Sequence, residues 1–258
     1  MSPVSASAVS SLRARTGVSI LAVKQALEEA NGDEEKAIEI LRKRGLAQAA
    51  KKADREQSEG AIFAASTDDK AALVLLKCET DFVARDAGFQ ELGKELAATL
   101  LTKGSEAMKK IAADKIPAAV NTLGENISVS EDVLVDAAVI GVYVHSNSKI
   151  GVIIGLDKGS PEAAKDVAMH AAAMNPLYTT ADEVPQSLVE KEKEIWREQL
   201  KKDGKPEAMF DKIMIGKEKK FREENALIKQ TFVKDNTKTV EQFLGGAKVV
   251  SYMRVAIG

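Results

Sequence analysis

The sequence predicts an α+β fold in which an N-terminal three-helix module precedes two similarly built α+β subdomains. Helix start and stop signals follow one another in the first 45 residues, without strand-like runs. Two short apolar runs followed by an amphipathic segment then occur twice, about 80 residues apart, which indicates two related units. In residues 191–224, 20 of 34 positions are charged, which is typical of an inserted antiparallel helical hairpin, a short coiled coil.

These patterns divide the chain into three expected domains. Residues 1–54 form the helical module and its linker, residues 55–138 the first core subdomain, and residues 139–258 the second. The helical hairpin is expected at residues 187–227, inside the second subdomain. Each boundary lies where the apolar periodicity changes.

Local capping signals place the helices of the N-terminal module. Ser7 and Ser19 are expected to cap the first and second helices, because serine side chains accept hydrogen bonds from the free N–H groups there. The Asn-Gly pair at residues 31–32 ends the second helix, and Gly45 is expected to end the third. Residues 46–57 lack apolar periodicity and are predicted to be a linker, for which a helix is an open alternative.

The two core subdomains share the order strand, turn, strand, helix. The first is expected to contain strands at 61–66 and 71–78, helices at 87–102 and 105–123, and an edge strand at 127–135. The second is expected to contain strands at 139–144 and 150–156, helices at 161–174 and 240–244, and a closing strand at 248–256. Leu188, Ile195 and Trp196 are spaced for one narrow apolar seam of the hairpin, and a second segment continues it with Met209, Ile213, Gly216 and Lys220.

The composition excludes several classes of protein. The 258 residues include one cysteine and two histidines, too few for an intramolecular disulfide, a three-histidine zinc site or a Cys₂His₂ site. A single cysteine fits a reducing, cytoplasmic compartment. Residues 1–27 hold no acid, as in an organelle transit peptide, but their helix caps favour a folded unit. A net charge of −2 gives no general attraction to nucleic acid, and the longest apolar run, 71–76, is too short for a membrane helix.

The motif search favours a binding protein over an enzyme. No phosphate-binding P-loop, dinucleotide fingerprint, His-Glu-x-x-His or Gly-x-Ser-x-Gly motif occurs, so no catalytic residue, cofactor or metal is predicted. Cys78 and His170 lie in apolar segments and are expected to be buried, whereas His145 lies in a predicted turn.

Residues 79–86 place acids, one phenylalanine and one arginine between a strand and a helix. In one interpretation Thr80 or Asp86 caps the helix and Phe82 folds back onto the core as a hydrophobic staple. In the other, this loop is a binding element. Neighbouring motifs decide between them.

Motifs along most of the chain resemble the elongation factor Ts family. The most specific is Thr-Asp-Phe-Val-Ala at residues 80–84, followed by Asp-Ala-Gly-Phe at 86–89. Further matches, in order and at family spacing, lie at residues 15–17, 24–27, 31–33, 49–53, 124–127, 168–172 and 238–240.

This resemblance implies a guanine-nucleotide exchange factor for the translation GTPase elongation factor Tu. It also implies that the N-terminal module is similar to a ubiquitin-associated domain, that the core has two parts, and that the hairpin can support a homodimer. Neither a membrane nor direct nucleic-acid binding is implied.

The resemblance also implies site residues. The loop that perturbs the magnesium and phosphate site of the GTPase corresponds to Thr80, Asp81, Phe82, Val83 and Arg85. The partner-binding positions of the N-terminal module, expected to be exposed, are Arg13, Thr16, Gly17, Val18, Ile20, Leu21 and Lys24. In the second subdomain, His145 and the turn after it are expected to contact another domain of the partner.

Two alternatives rest on single regions. The N-terminal module alone fits an adaptor that binds ubiquitin-like proteins or the ribosome. Residues 42–55 carry six basic residues against one acid, which fits an RNA-binding segment. Both alternatives leave residues 80–85 and the repeated α+β unit without a role.

Overall fold

Hydroxyl and carboxylate caps begin each of the three N-terminal helices. In the computed structural model, which describes residues 4–257, Ser5, Ser19 and Asp33 accept hydrogen bonds from backbone N–H groups three residues later, at 3.1, 3.3 and 3.1 Å. The helices are α1 (Ala6–Thr16), α2 (Ile20–Glu29) and α3 (Glu34–Lys52). The predicted cap Ser7 is wrong, because Ser7 lies inside α1.

The sequence predicted that Gly45 ends the third helix, and this prediction is wrong. Helix α3 continues through Gly45 to Lys52, so the predicted linker is largely helical. A Cβ atom at position 45 would lie 3.1 Å from the carbonyl oxygen of Pro117, in helix α5 (Ala87–Leu123). Glycine at this position therefore lets α3 approach α5 closely.

The N-terminal helices enclose an apolar core of their own. Its buried side chains are Leu12, Val18, Val23, Ala26, Leu27, Ala30, Ala37 and Leu41. This core is distinct from the apolar clusters of the rest of the chain, so the module is joined to the body mainly along α3 and α5.

The first core subdomain is an antiparallel sheet covered by a helix. Its strands, in the spatial order β1-β2-β3, are β1 (Glu59–Ser66), β2 (Lys70–Cys78) and β3 (Ser128–Asp136). A single helical turn, α4 (Asp81–Ala84), and the long α5 follow β2. Gly104, with φ of 80°, divides α5 into the two helical segments that the sequence predicted. Phe63, Leu76 and Leu96 are buried between this sheet and α5.

The second subdomain repeats this plan. Its elements are β4 (Val139–Val144), β5 (Ile150–Leu156), α6 (Pro161–Met174), α7 (Gln186–Lys202), α8 (Phe210–Asn225), β6 (Thr231–Phe232), β7 (Asp235–Thr239), α9 (Val240–Leu244) and β8 (Val249–Ala256). The sheet has the order β4-β5-β8, and α6 covers one face of it. The mixture of helices and strands confirms the predicted α+β class, whereas the small β6–β7 hairpin was not predicted.

The two sheets pack against each other through the faces that α5 and α6 leave open. Ile62, Leu73, Ile153 and Val255 are buried in the apolar layer between them. The result is a four-layer arrangement of helix, sheet, sheet and helix. The candidate functional site lies at one end of the strands of the two stacked sheets.

Helices α7 and α8 pack against each other in opposite directions. Val189, Trp196 and Leu200 are buried on α7, and Phe210 and Met214 on α8. Of the predicted seam, Trp196 is buried and Leu188 half-buried, whereas the prediction of Ile195 is wrong because its side chain is exposed. In the second segment Met209 is exposed, and its neighbour Phe210 is buried instead. Between the helices, the Lys193 ammonium lies 2.8 Å from the Glu218 carboxylate.

Candidate functional site

The turn between β2 and α5 is held by two helix caps. The Thr80 hydroxyl accepts a hydrogen bond from the N–H of Val83 at 3.4 Å and begins α4. The Asp86 carboxylate accepts hydrogen bonds from the N–H groups of Gly88 and Phe89, at 2.8 and 3.3 Å, and begins α5. Because the two caps follow each other closely, α4 is a single helical turn between β2 and α5, and residues 81–84 are called the projecting turn.

Phe82 projects from α4 into solvent. Its exposed fraction is 82%, the largest among the large apolar side chains of the described residues, whereas Val83 and Ala84 beside it are buried. The interpretation of Phe82 as a hydrophobic staple is therefore wrong, although Thr80 and Asp86 do cap their helices. Because the turn is anchored on both sides, this exposed aromatic ring is held where another protein can contact it.

Asp81 and Arg85 pair with each other across this turn. The guanidinium lies 2.9 Å from the carboxylate, and both side chains are exposed. An exposed pair of this kind contributes little to folding, about 0–1 kcal/mol. Both charges are thus available to a partner at small cost.

Glu125, which lies in the matching segment 124–127 but was assigned no role from the sequence, holds the start of this turn. One of its carboxylate oxygens accepts hydrogen bonds from the N–H groups of Glu79 and Thr80, at 3.0 and 2.9 Å. The other accepts the Thr80 hydroxyl at 2.6 Å. No local signal in the sequence could reveal this contact, because 45 residues separate Glu125 from Thr80.

Cys78 is buried directly beneath the turn. Its thiol donates a hydrogen bond to the carbonyl oxygen of Thr80 at 3.1 Å. Burial, together with the nearby carboxylates of Glu125 and Glu59, raises the pKa of the Cys78 thiol to about 12. The thiol is therefore protonated near neutral pH and unsuited to nucleophilic chemistry, which agrees with the predicted structural role.

The predicted binding positions of the N-terminal module separate into exposed and buried ones. Ile20 and Leu21 are 56% and 65% exposed, neighbouring apolar side chains at the start of α2. Arg13, Gly17 and Lys24 are also exposed. Thr16 is half-buried, with its hydroxyl donating to the carbonyl oxygen of Leu12 at 2.8 Å.

Val18 departs from that expectation. It is only 5% exposed and belongs to the apolar core of the module, so its prediction as an exposed contact residue is wrong. The chain turns at Gly17 (φ 66°), and this turn directs the Val18 side chain inward. Apolar character alone does not distinguish Val18 from its exposed neighbours Ile20 and Leu21.

A cleft of about 680 Å³ separates the module from the beginning of α5. Its lining includes Arg15, Thr16, Gly17 and Val18 of the module and Asp86, Gly88 and Glu91 at the beginning of α5. The junction between α1 and α2 therefore faces the part of α5 that directly follows α4. The module and the projecting turn lie on the same side of the protein.

His145 lies in the exposed turn between β4 and β5. Its Nδ1 is 2.9 Å from the Tyr143 hydroxyl. The same turn touches β1, where the Ser148 carbonyl oxygen accepts the N–H of Ile62 at 2.8 Å, and Lys149 pairs with Glu59. Since Glu59 lies opposite Cys78 in the sheet, His145 and Phe82 belong to the same end of the two stacked sheets.

His170, by contrast, is fully buried and serves the core. Its Nε2 lies 2.9 Å from the Gln230 side-chain oxygen, and its Nδ1 accepts the N–H of Val233 at 3.2 Å. Burial lowers the pKa of the imidazole below its ordinary value, and the hydrogen bond to Gln230 offsets part of this shift. The predicted burial of His170 is confirmed.

Among residues 4–257, no three His, Cys, Asp or Glu side chains are grouped so that they could hold a metal ion. Within the same range, no helix combines the length and the apolar character needed to cross a membrane.

Comparison with known proteins gives a consistent result. A family model described as Elongation factor TS matches residues 79–258. The chain is 41% identical to Elongation factor Ts of Deinococcus deserti, with 97% of this chain and 98% of that protein aligned. It is 42% identical to Elongation factor Ts of a Hydrogenobaculum species, with 99% of each aligned. For Elongation factor Ts of Francisella tularensis subsp. novicida the identity is 40%, over 100% of this chain and 93% of that protein.

Proposed function

The chain belongs to the elongation factor Ts family of translation elongation factors, and from this premise we propose that it is a guanine-nucleotide exchange factor for elongation factor Tu. The observation that carries the proposal is the side chain of Phe82, exposed on a turn that is anchored on both sides. Such a residue can enter a partner without first being released from the core.

Exchange by differential binding requires no catalytic group. A factor that binds the nucleotide-free GTPase more tightly than the GDP-bound form must weaken GDP binding by the same ratio. A thousandfold weakening corresponds to about 4 kcal/mol, which a few buried contacts can supply. In this proposal the protein uses neither a metal nor a cofactor of its own.

In the proposed mechanism the projecting turn enters the nucleotide-binding domain of the partner. Phe82 acts as a wedge near the magnesium and phosphate site, since a stiff aromatic ring gains much from burial. Asp81 brings negative charge toward that site and leaves its pairing with Arg85, which becomes a polar anchor. Thr80 and Val83 hold the backbone of the turn through the cap between them.

The remaining predicted residues would enlarge the same interface. Ile20 and Leu21, with Arg13, Thr16, Gly17 and Lys24 around them, supply an apolar patch with a polar rim on the module side. His145 would contact a second domain of the partner from the opposite side of the turn. These roles place the protein in the cytoplasm, where translation takes place.

The hairpin is proposed to support the partner or a second copy of this chain. Ile195, Met209 and Ile215 are exposed on it and could bury apolar surface in such a contact. Self-association through the hairpin stays a prediction.

The RNA-binding alternative is disfavoured by the ion pairs of its basic segment. Four of the six cations in residues 42–55 pair with carboxylates: Arg42 with Asp114, Lys43 with Glu39, Arg44 with Glu29 and Arg55 with Glu79. These exposed pairs cost little to break, but their carboxylates lower the positive potential that would attract phosphates. No contact in the described residues favours an adaptor built on the module alone.

The test is release of labelled GDP from purified elongation factor Tu. We expect the protein to accelerate release, and Phe82→Ala to reduce the acceleration by about 30-fold, as for an interface residue worth about 2 kcal/mol. The thermal unfolding temperature of Phe82→Ala should match that of the wild type, because the Phe82 side chain is exposed. Leu177→Ala, which removes an exposed apolar side chain outside the proposed interface, is the matched control and should exchange normally. No acceleration by the wild type at micromolar concentration would refute the proposed function.

A further inference from the structure

Residues 124–126 lie between the two parts of the chain that the proposed function uses together. On one side they contact the start of the projecting turn, at Glu79 and Thr80. On the other side they contact the chain that leaves helix α3 of the N-terminal module, at Lys52, Ala53 and Arg55. This segment is neither helix nor strand, and it begins with Gly124, whose left-handed backbone ends α5.

The projecting turn depends on these contacts for its shape. Helix α4 is a single turn, and a helix this short is not stable alone. Its entry is fixed where the Glu125 carboxylate accepts two backbone N–H groups and the Thr80 hydroxyl, at 2.6 to 3.0 Å. Without an acceptor at this place, two partly buried N–H groups would lose their partners.

The contact is reciprocal, because the turn also holds the segment. The Glu79 carboxylate accepts the backbone N–H of Asn126 at 2.7 Å. The Asn126 amide, which is 7% exposed, donates to the carbonyl oxygens of Ala53 and Arg55 at 3.1 and 3.0 Å. One buried amide and two carboxylates thus connect the module exit to the turn.

We propose that Glu125 is a positioning residue that acts through Thr80 to hold Phe82 in its projecting orientation, and that Asn126 ties this clamp to the N-terminal module. The inference rests on the proposed function, because it concerns the same contact surface. A turn that is ordered before binding loses less conformational entropy on binding, which favours the complex. Glu125 itself need not touch the partner.

The hydrogen-bond pattern distinguishes this role from a role of the Glu125 charge. In Glu125→Gln, the amide oxygen can accept both backbone N–H groups, and the amide N–H₂ can donate to the Thr80 hydroxyl. In Glu125→Ala, all three contacts are lost. The glutamine variant should therefore rescue the function that the alanine variant loses.

The experiment combines hydrogen exchange with GDP release from elongation factor Tu. In Glu125→Ala, we expect the amides of Glu79, Thr80 and Val83 to exchange about tenfold faster or more, while amides of β2 keep their wild-type rates. The acceleration of GDP release should fall about tenfold. Glu125→Gln should stay within about twofold of the wild type in both measurements. Glu106→Ala, which removes an exposed glutamate on α5, is the control and should change neither.

Three results would overturn the proposal. The first is that hydrogen exchange of the Glu79 and Thr80 amides in Glu125→Ala keeps its wild-type rate. The second is that these amides exchange faster while the acceleration of GDP release stays normal. The third is an equal loss in the glutamine and alanine variants, which would assign the effect to charge. If Glu125→Ala does not fold, Glu125→Asp, shorter by one methylene, tests the same contacts. If the wild type does not accelerate GDP release from elongation factor Tu, the proposed function is refuted. Hydrogen exchange alone then tests whether Glu125 holds the turn.

Discussion

His170 is the buried residue whose protonation would most directly disturb the fold. Both of its ring nitrogens are engaged, and Nδ1 accepts the N–H of Val233. A proton on Nδ1 would face another donor, and the buried ring would carry a charge. Because the folded pKa is lowered, the unfolded chain binds a proton more readily than the folded protein near pH 6.

We therefore expect stability to fall as the pH drops through the ordinary histidine pKa of about 6.5. The contribution of His170 is fully present above that pH and decreases by at most about 1.4 kcal/mol per pH unit below it. Urea unfolding of the wild type between pH 7.5 and 6.0 measures this slope. His170→Gln should be less stable throughout but should show a flatter slope.

A substitution that changes no titratable group provides the control. Ile215→Ala removes an exposed apolar side chain and should keep the wild-type dependence on pH. An unchanged slope in His170→Gln would contradict the assignment.

At the scale of single residues, the sequence predicts what local contacts decide. Ser19 and Asp33 cap their helices through bonds to residues three positions away, and both positions were predictable. Val18 and Glu125 were not. The burial of Val18 depends on the turn at Gly17, and the contacts of Glu125 cross 45 residues of chain. An acidic residue gives no sign in the sequence of which distant N–H groups it accepts.

Among the secondary-structure elements, Gly141 sets how closely helix and sheet pack. A Cβ atom on this residue of β4 would lie 2.1 Å from the backbone carbon of Ala164 in α6. Backbone atoms cannot rotate away, so a side chain there would push α6 off the sheet. Gly216, in the middle of α8, has no atom within 4 Å of the corresponding position among the described residues.

Replacing each of these glycines by alanine should have opposite effects. Gly141→Ala should destabilise the protein by about 2 kcal/mol or more, because it overpacks a rigid contact. Gly216→Ala should stabilise it by about 0.5–1 kcal/mol, because alanine favours a helix interior. Urea unfolding measures both, and a similar loss in the two variants would contradict the packing argument.

The hairpin and the β6–β7 pair mark where element-scale prediction ends. In α7 the sequence offers both Leu188 and Val189, and both Ile195 and Trp196, for the same seam. Only the fit against Phe210 and Met214 selects Trp196 and Leu200, and Val189 is buried outside this cluster. The strand β7 is entirely polar, so no alternation of apolar residues announces it.

At the scale of the whole molecule, the layer between the two sheets joins the subdomains. Ile153 is fully buried there, together with Ile62 and Leu73 of the first sheet. The sequence predicted two repeated units from their local patterns. It did not predict that the units stack face to face. The strands β2 and β5 are apolar on both faces, which indicates that both faces are buried, but this pattern does not show which element covers each face.

We expect Ile153→Ala to weaken both subdomains at once. The free energy of unfolding should fall by about 2–5 kcal/mol, from lost burial and the cavity left behind. Hydrogen exchange should show that β2 and β5 lose protection together, since they share this layer. Ile215→Ala, at an exposed position, should leave both protected. Loss of protection in β5 alone would mean that the subdomains unfold independently.

The clamp at Glu125 also bears on how the turn could be imitated. A synthetic peptide spanning residues 79–86 would carry Phe82 and Asp81 but would lack the carboxylate and the amide that shape them. Such a peptide would sample many backbone conformations and compete weakly with the intact protein. An effective mimic needs an acceptor for the Glu79 and Thr80 N–H groups built into a ring or scaffold.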